Sequence, residues 1–275
     1  MDTNVLTGGS LVKGQIRTHA KECFEGMRQA GELAARCLDM LAREVVEGVS
    51  TAHLDDLARA FILDHGAVPA CIHYRGYRHS LCISLNHVVC HGIPGDRKLR
   101  AGDILNIDVT VIVGGWHGDT SRMYAIAPVK KAAAKLMDVT YECLMQGLGM
   151  IRPGVRLGDL GATIQKHAES HRFSVVRDFC GHGLGRIFHE SPNIMHFGRA
   201  GEGLMIEPGM FFTVEPMINI GKPGVHILND GWTAITRDRS LSAQFEHSIG
   251  VTEDGIEIFT ASRAGLERPY LSALD

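Results

Sequence analysis

Ile104-Leu105-Asn106-Ile107-Asp108-Val109-Thr110-Val111-Ile112-Val113-Gly114-Gly115-Trp116-His117-Gly118-Asp119 is the stretch on which the fold turns. Polar Asn106, Asp108 and Thr110 alternate with apolar Leu105, Ile107, Val109 and Val111, a period of two that gathers the polar set on one strand face. A two-residue turn at Gly114-Gly115 starts a return strand at Trp116. In that register Val113 faces Trp116 and Thr110 faces Asp119, so Asp119 shares a face with Asp108 and lies diagonal to it. Diagonal Cα atoms in a hairpin are roughly 7–8 Å apart, a span that two carboxylate arms can close around one or two metal ions. An unpaired carboxylate in so apolar a run is costly and demands a counter-ion or a metal.

Two glutamates carry the same argument into the second half. Phe211-Phe212-Thr213-Val214-Glu215-Pro216-Met217-Ile218 is an apolar stretch interrupted by one carboxylate, and Leu241 to Ile249 reads as another strand-like run around Glu246. Alone, either could be a core Glu satisfied by an arginine. His182 stands in Cys180-Gly181-His182-Gly183-Leu184-Gly185, where flanking glycines leave the imidazole accessible and let the backbone approach a ligand. Together, Asp108, Asp119, His182, Glu215 and Glu246 have the donor set of a two-metal hydrolase. Among the fifteen histidines, His91 and His189 are further candidates, while His73, His79 and His87 read as surface or pocket-rim residues.

A chain of 275 residues, 45% hydrophobic, can bury a sizeable core in one large domain or two packed halves. A net charge of −3 with scattered Lys and Arg argues against nucleic acid or an anionic membrane as the main partner. Seven cysteines without a Cys-x-x-Cys pair fit reduced thiols in a cytoplasmic protein. No signal peptide and no apolar run of transmembrane length is expected.

The periodicity predicts helices over about 18–48, 51–65, 130–150 and 157–171, with strands over 80–89, through the hairpin, and over 173–177 and 211–218. The order suggests duplication. Gly48-Val49 has a counterpart in Gly154-Val155, and Asp108 and Glu215 each stand six residues after a turn glycine, Gly102 and Gly209. Without a Pro/Ser-rich linker, residues 1–275 read as a single catalytic domain. Its two related halves cover about 13–128 and 129–260, and residues 1–12 form a flexible N-terminus.

The ordered set Asn106-Ile107-Asp108, Gly118-Asp119-Thr120, Gly181-His182-Gly183, Thr213-Val214-Glu215-Pro216 and Gln244-Phe245-Glu246-His247 resembles the type I methionine aminopeptidases of bacterial form. The resemblance runs from about residue 13 to 260. It implies the pita-bread fold, a pseudo-twofold α/β (α+β) domain with a curved antiparallel sheet and outer helices. It further implies two divalent ions (cobalt, manganese, iron(II) or zinc), with Asp108 on one, His182 and Glu215 on the other, and Asp119 and Glu246 bridging. A metal-bound water or hydroxide would attack the scissile carbonyl, Glu215 would shuttle the proton, His91 would help the leaving nitrogen and His189 would steady the carbonyl.

Cys71, Tyr74, Tyr77, Cys82, Phe188 and Trp232 match the positions around the substrate methionine, where thioether meets aromatic ring. Asn86, Val88 and Ser242 match a weaker monovalent site for sodium or potassium. His87 departs from the Glu common in relatives, and Arg75, Arg78 and His79 depart from the commonest residues of the pocket entrance. The implied activity is removal of the initiator methionine from nascent chains with a small second residue, by a cytoplasmic monomer in transient contact with ribosomes. A proline-type aminopeptidase or dipeptidase with the same ligands, and a non-catalytic binding module, are the competing readings.

Overall fold

A computed structural model of the chain describes residues 9–10 and 17–272. The hairpin is its longest strand pair, Ile104–Val113 against Trp116–Ile126. The register is the one the parity predicts, Val113 opposite Trp116, Thr110 opposite Asp119 and Asp108 opposite Ser121. Gly114 and Gly115 turn with φ of 56° and 82°, the positive pair that a two-residue turn requires and that residues with a Cβ resist.

Helix α1, Cys23–Leu41, lies on this hairpin. Its buried Met27, Ala30, Ala34, Cys37, Leu38 and Leu41 recur every three or four residues and form one apolar stripe. Gly118 allows the close approach, since a Cβ there would collide with the Ala30 carbonyl. The helix is shorter than the predicted 18–48. Thr18–His19 are extended instead, with Thr18 bridging to Met210, and past Leu41 the chain passes through turns to Gly48, whose φ is 87°. Helix α2, Thr51–Asp64, starts where expected because the Ser50 hydroxyl accepts a hydrogen bond from the His53 N–H.

The second half carries helices α3, Lys131–Met150, and α4, Leu157–Ser170. Its principal sheet runs in the order Glu190–Ile194, Gly181–Gly183, Phe211–Val214, His247–Val251, Ile256–Ile258. The backbone turns match in detail. Gly48 donates to Leu99 and Gly154 to Ile206, while Leu99 donates back to Val49 and Ile206 to Val155. Gly102 and Gly209 have φ of 88° and 83° and donate to Ile126 and Val251, the last residues of the Trp116–Ile126 and His247–Val251 strands.

Two predicted strands are broken. Ser80–Val89 is Leu81–Leu85 plus Val88–Cys90, parted by Asn86 at φ 56°. Phe211–Ile218 is Phe211–Val214 plus Met217–Asn219, parted by Glu215-Pro216, where the proline has no N–H to give a ladder. The described strand pairs are antiparallel, apart from a parallel ladder between Tyr270–Ser272 and the long hairpin. The main apolar clusters lie between α1, α2 and the hairpin, and between α3, α4 and the second-half strands. This mixed α/β arrangement, with four helices outside antiparallel sheets, is the pita-bread architecture. The expected flexible N-terminus over 1–12 falls outside the described residues except Gly9–Ser10.

Candidate metal centre

All five predicted ligands line one cavity of about 620 Å³ between the two halves' strands. Asp108 and Asp119 reach it from the shared face of the hairpin. His182 comes from the Gly181–Gly183 strand, whose glycines serve packing more than ligand access. A Cβ at Gly181 would meet the Thr213 carbonyl, and one at Gly183 would sit 2.8 Å from the Ser191 carbonyl. Glu215 and Glu246 both stand at interruptions between strands rather than inside them. The Glu246 N–H donates to Ser121 O at 3.0 Å, and Ser121 is the cross-strand partner of Asp108. Glu246 is therefore one of several points, with Gln244 and Ser248, where the second half hydrogen-bonds to the first beside the cavity.

Ligand atoms of Asp119, His182 and Glu246 all lie within 4.8 Å of one another. His182 Nε2 is 3.5 Å from Asp119 Oδ2 and 3.7 Å from Glu215 Oε1. Burial pushes the Asp108 and Glu246 carboxyls well up, with Asp119 adding to both, and pushes Glu215 up to about 7. For His182, burial acts downward, but the hydrogen bond to Asp119 and the charge of Glu215 leave the imidazole above its ordinary value. The arginine ion pairs of the described residues go to Glu190, Glu25, Glu257, Asp103, Asp39, Glu202 and Glu32, none of them to the quintet. Four carboxylates and one imidazole lining one cavity, tightest at Asp119, His182 and Glu246 and without an arginine ion pair among the described residues, are a poor structural cluster and a fitting donor set for divalent first-row ions.

Several orienting residues escaped the sequence reading. Thr110 Oγ1 donates to Asp119 Oδ1 at 2.7 Å, and Thr213 Oγ1 to Glu215 Oε1 at 2.8 Å, while the same Thr213 oxygen accepts from the His182 N–H. Gln244 Nε2 donates to Glu215 Oε2 at 3.2 Å. Buried His196, its pKa lowered to about 3 by burial, accepts the Glu215 N–H. The available signal was parity. A threonine two residues from a strand-borne carboxylate shares its face.

His91 and His189 line the same cavity, and neither belongs to the close cluster of ligand atoms. The His189 ring lies 4.1 Å from that of His182. His91 is held at φ 56° with its ring edge-on to Phe179 and Trp232. Cys71, Tyr77 and Cys82 form a buried apolar cluster with Phe188 and Trp232 against it, and Tyr74 packs on Phe188 with ring centres 4.9 Å apart. Cys82 is the cross-strand neighbour of Asp108, so this wall begins one strand from the carboxylates.

Of the departing rim residues only Arg75 lines the cavity, and its guanidinium lies over the Tyr74 ring. His79 bonds Asp55 and His87 bonds Arg239, and neither lines the cavity itself. Asn86 and Ser242 are adjacent, the Ser242 N–H donating to Asn86 O at 2.9 Å, with Val88 on the neighbouring strand. The Asn86 side chain is taken up by Asp103 and the Ile104 N–H, so backbone carbonyls are what it has left for an ion.

Comparison with known proteins agrees with this geometry. The pattern of metallopeptidase family M24 matches residues 25–253. The chain is 54% identical to the methionine aminopeptidase of Rickettsia prowazekii over 92% of its own length and 98% of that protein. It is 50% identical to the methionine aminopeptidase of Escherichia coli K12 over 89% of this chain and 94% of that one. The crystal structure of the Rickettsia enzyme superposes with a TM-score of 0.89, covering 90% of this chain and all of the other. A prolidase from Pyrococcus furiosus shares the fold alone, at 18% identity and a TM-score of 0.72, covering 90% of this chain and 66% of that one. The chain belongs to metallopeptidase family M24 and, within it, to the methionine aminopeptidases.

Proposed function

We propose that the chain removes the initiator methionine from nascent polypeptides, with preference for a small second residue. The supporting observation is continuity. A single cavity joins the five buried ligands to an apolar wall of Cys71, Tyr74, Tyr77, Cys82, Phe188 and Trp232. An unbranched thioether side chain fits a wall of thiols and aromatic rings. In the same reading Asp108 holds one ion, His182 and Glu215 the other, and Asp119 and Glu246 are shared. Two divalent ions, cobalt, manganese, iron(II) or zinc, would supply an activated water and a Lewis acid for the scissile carbonyl.

The chain's own residues do the rest. Thr213 and Gln244 fix both oxygens of Glu215, the carboxylate placed to take up and pass on a proton. His91 faces the leaving nitrogen and His189 the carbonyl, both as hydrogen-bonding groups rather than ligands. A sodium or potassium ion on carbonyl oxygens around Asn86, Val88 and Ser242 would brace the break between Leu81–Leu85 and Val88–Cys90.

Residues 13–128 and 129–260 are two related halves of one catalytic domain in this account, supported by their matched turns. No helix among the described residues is long and apolar enough to cross a membrane. We place the chain in the cytoplasm as a monomer in transient contact with ribosomes. The test is to assay metal-reconstituted protein on Met-Ala-Ser and Ala-Pro-Ser peptides. Methionine release from the first, abolished by His182→Ala, is expected. Preference for the second would favour a proline-type enzyme, and no turnover of either by folded protein would favour a binding module.

A further inference from the structure

We propose that Glu142, His167 and His171 form a second metal site, on the surface and apart from the peptidase centre, that takes a zinc-class divalent ion and ties α3 to the end of α4. The two helices lie side by side because Gly147 puts no side chain between them. A Cβ there would press Ile164 at 2.9 Å and Leu160 at 3.0 Å. Cys143 Sγ also reaches Ile164 O at 3.8 Å. With Cys143 and Gly147 in the contact, Glu142 and Gln146, each one residue earlier and one turn apart, run along its edge. His167 in the last turn of α4 and His171, which caps that helix, are likewise four residues apart, their rings edge-on with centres separated by 4.9 Å.

Ligand atoms of Glu142, His167 and His171 all lie within 4.8 Å of one another, and His167 Nε2 is 2.8 Å from Glu142 Oε2. A single hydrogen bond accounts for that last contact but not for the second imidazole. Among the described residues nothing donates to or accepts from the His171 ring. Two imidazoles and a carboxylate are three of the four ligands of an open zinc site, with water free to fill the remainder.

The outer partner is also in place. Gln146 Nε2 lies 2.9 Å from His167 Nδ1, so in the metal-free chain Nδ1 accepts and Nε2–H donates to Glu142. Binding through Nε2 moves the ring proton to Nδ1, and the Gln146 amide then turns its oxygen to accept it, the arrangement that fixes metal-ligating histidines. None of the four residues lines the peptidase cavity, so the proposal stands independently of the peptidase reading. The site would stiffen the helix pair whose α3 packs on the Ser242–Gln244 and Met217–Asn219 strands, which bracket Glu246 and Glu215.

The test is a Zn²⁺ titration of full-length protein at pH 7.5, with the bound ions counted by native mass spectrometry and affinity measured against a chromophoric chelator. Wild type is expected to hold one zinc ion more per chain than His171→Ala and the His167→Ala/His171→Ala pair, with at least a tenfold loss of affinity for that ion in each. Cobalt-dependent peptide cleavage is expected to be unchanged, which shows that the variants fold. Equal zinc counts and affinities in wild type and the double variant would overturn the proposal. Should the variants not fold, wild-type crystals soaked in zinc decide it. An anomalous peak among the three side chains supports the site, and its absence there refutes it.

Discussion

The two halves reach the same cavity by different means. In the first, Asp108 and Asp119 project from uninterrupted strands, where the pleat alone fixes which face each side chain takes. In the second, Glu215 follows the last residue of one strand and Glu246 fills the gap between two others. Pro216 ends the first of those ladders, and at Glu246 the chain leaves its partner strand Met217–Asn219 and bonds Ser121 before joining Phe211–Val214. A short carboxylate suffices where the strand is continuous, whereas the longer glutamate reaches in from a break. Matched backbone turns thus present unmatched side chains, and the second half depends more on hydrogen bonds to aim its ligands.

The largest expected effect ignores that difference. His182→Ala removes the only imidazole of the quintet, and kcat/KM on a Met-Ala-Ser peptide should fall by more than about 100-fold, beyond the 10–100-fold typical of losing an outer-shell partner. Exchanging chain lengths tests the comparison itself. Asp108→Glu and Glu215→Asp keep the charge and change the reach by one methylene, and each should lose roughly 100-fold in kcat through misplacement. Near-normal turnover by both would show that backbone setting does not dictate side-chain length.

Aiming by hydrogen bonds comes next. Thr213→Val should weaken metal binding about 10–100-fold, because Thr213 serves both Glu215 and the His182 N–H. Thr110→Val, beside a ligand whose strand is already fixed, should cost less. A larger loss at Thr110 than at Thr213, in parallel metal titrations, would reverse the proposed contrast.

The smallest effect concerns the seam. His19, a first-half residue, donates its N–H to Gly209 O and stacks on Phe211 with ring centres 4.2 Å apart. Burial first, and Arg17 and Arg186 after it, lower its pKa to about 4 from 6.5. The folded chain prefers the neutral ring, so its contribution is fully present above pH 6.5 and is lost as pH falls from there through 4. That loss is roughly 3 kcal/mol at the acid end. His19→Phe keeps the stack and removes the titration. Its melting temperature should fall less than that of wild type between pH 6.5 and 4, and equal falls would assign the acid sensitivity elsewhere.

The same contrast explains what was legible in the sequence. Strict alternation around Asp108 and the Gly114-Gly115 pair fixed register and facing to the residue, since period two leaves no freedom once the turn length is known. Strand breaks at Asn86, Glu215 and Glu246 were not legible, because apolar runs continue across them and only long-range pairing reveals the change of partner. The overlong first helix failed for a related reason. Thr18–His19 are held extended by distant Met210 and Gly209, contacts that local periodicity does not register. The partners of His79 and His87, Asp55 and Arg239, were not legible either, because they lie far away in the chain.

Diffraction at the manganese or cobalt edge from metal-soaked crystals tests the central claim most directly. Anomalous density is expected among Asp108, Asp119, His182, Glu215 and Glu246, with Asp119 and Glu246 touching whichever ions are present. A folded chain that shows no peak there, or binds its ions only elsewhere, would contradict it.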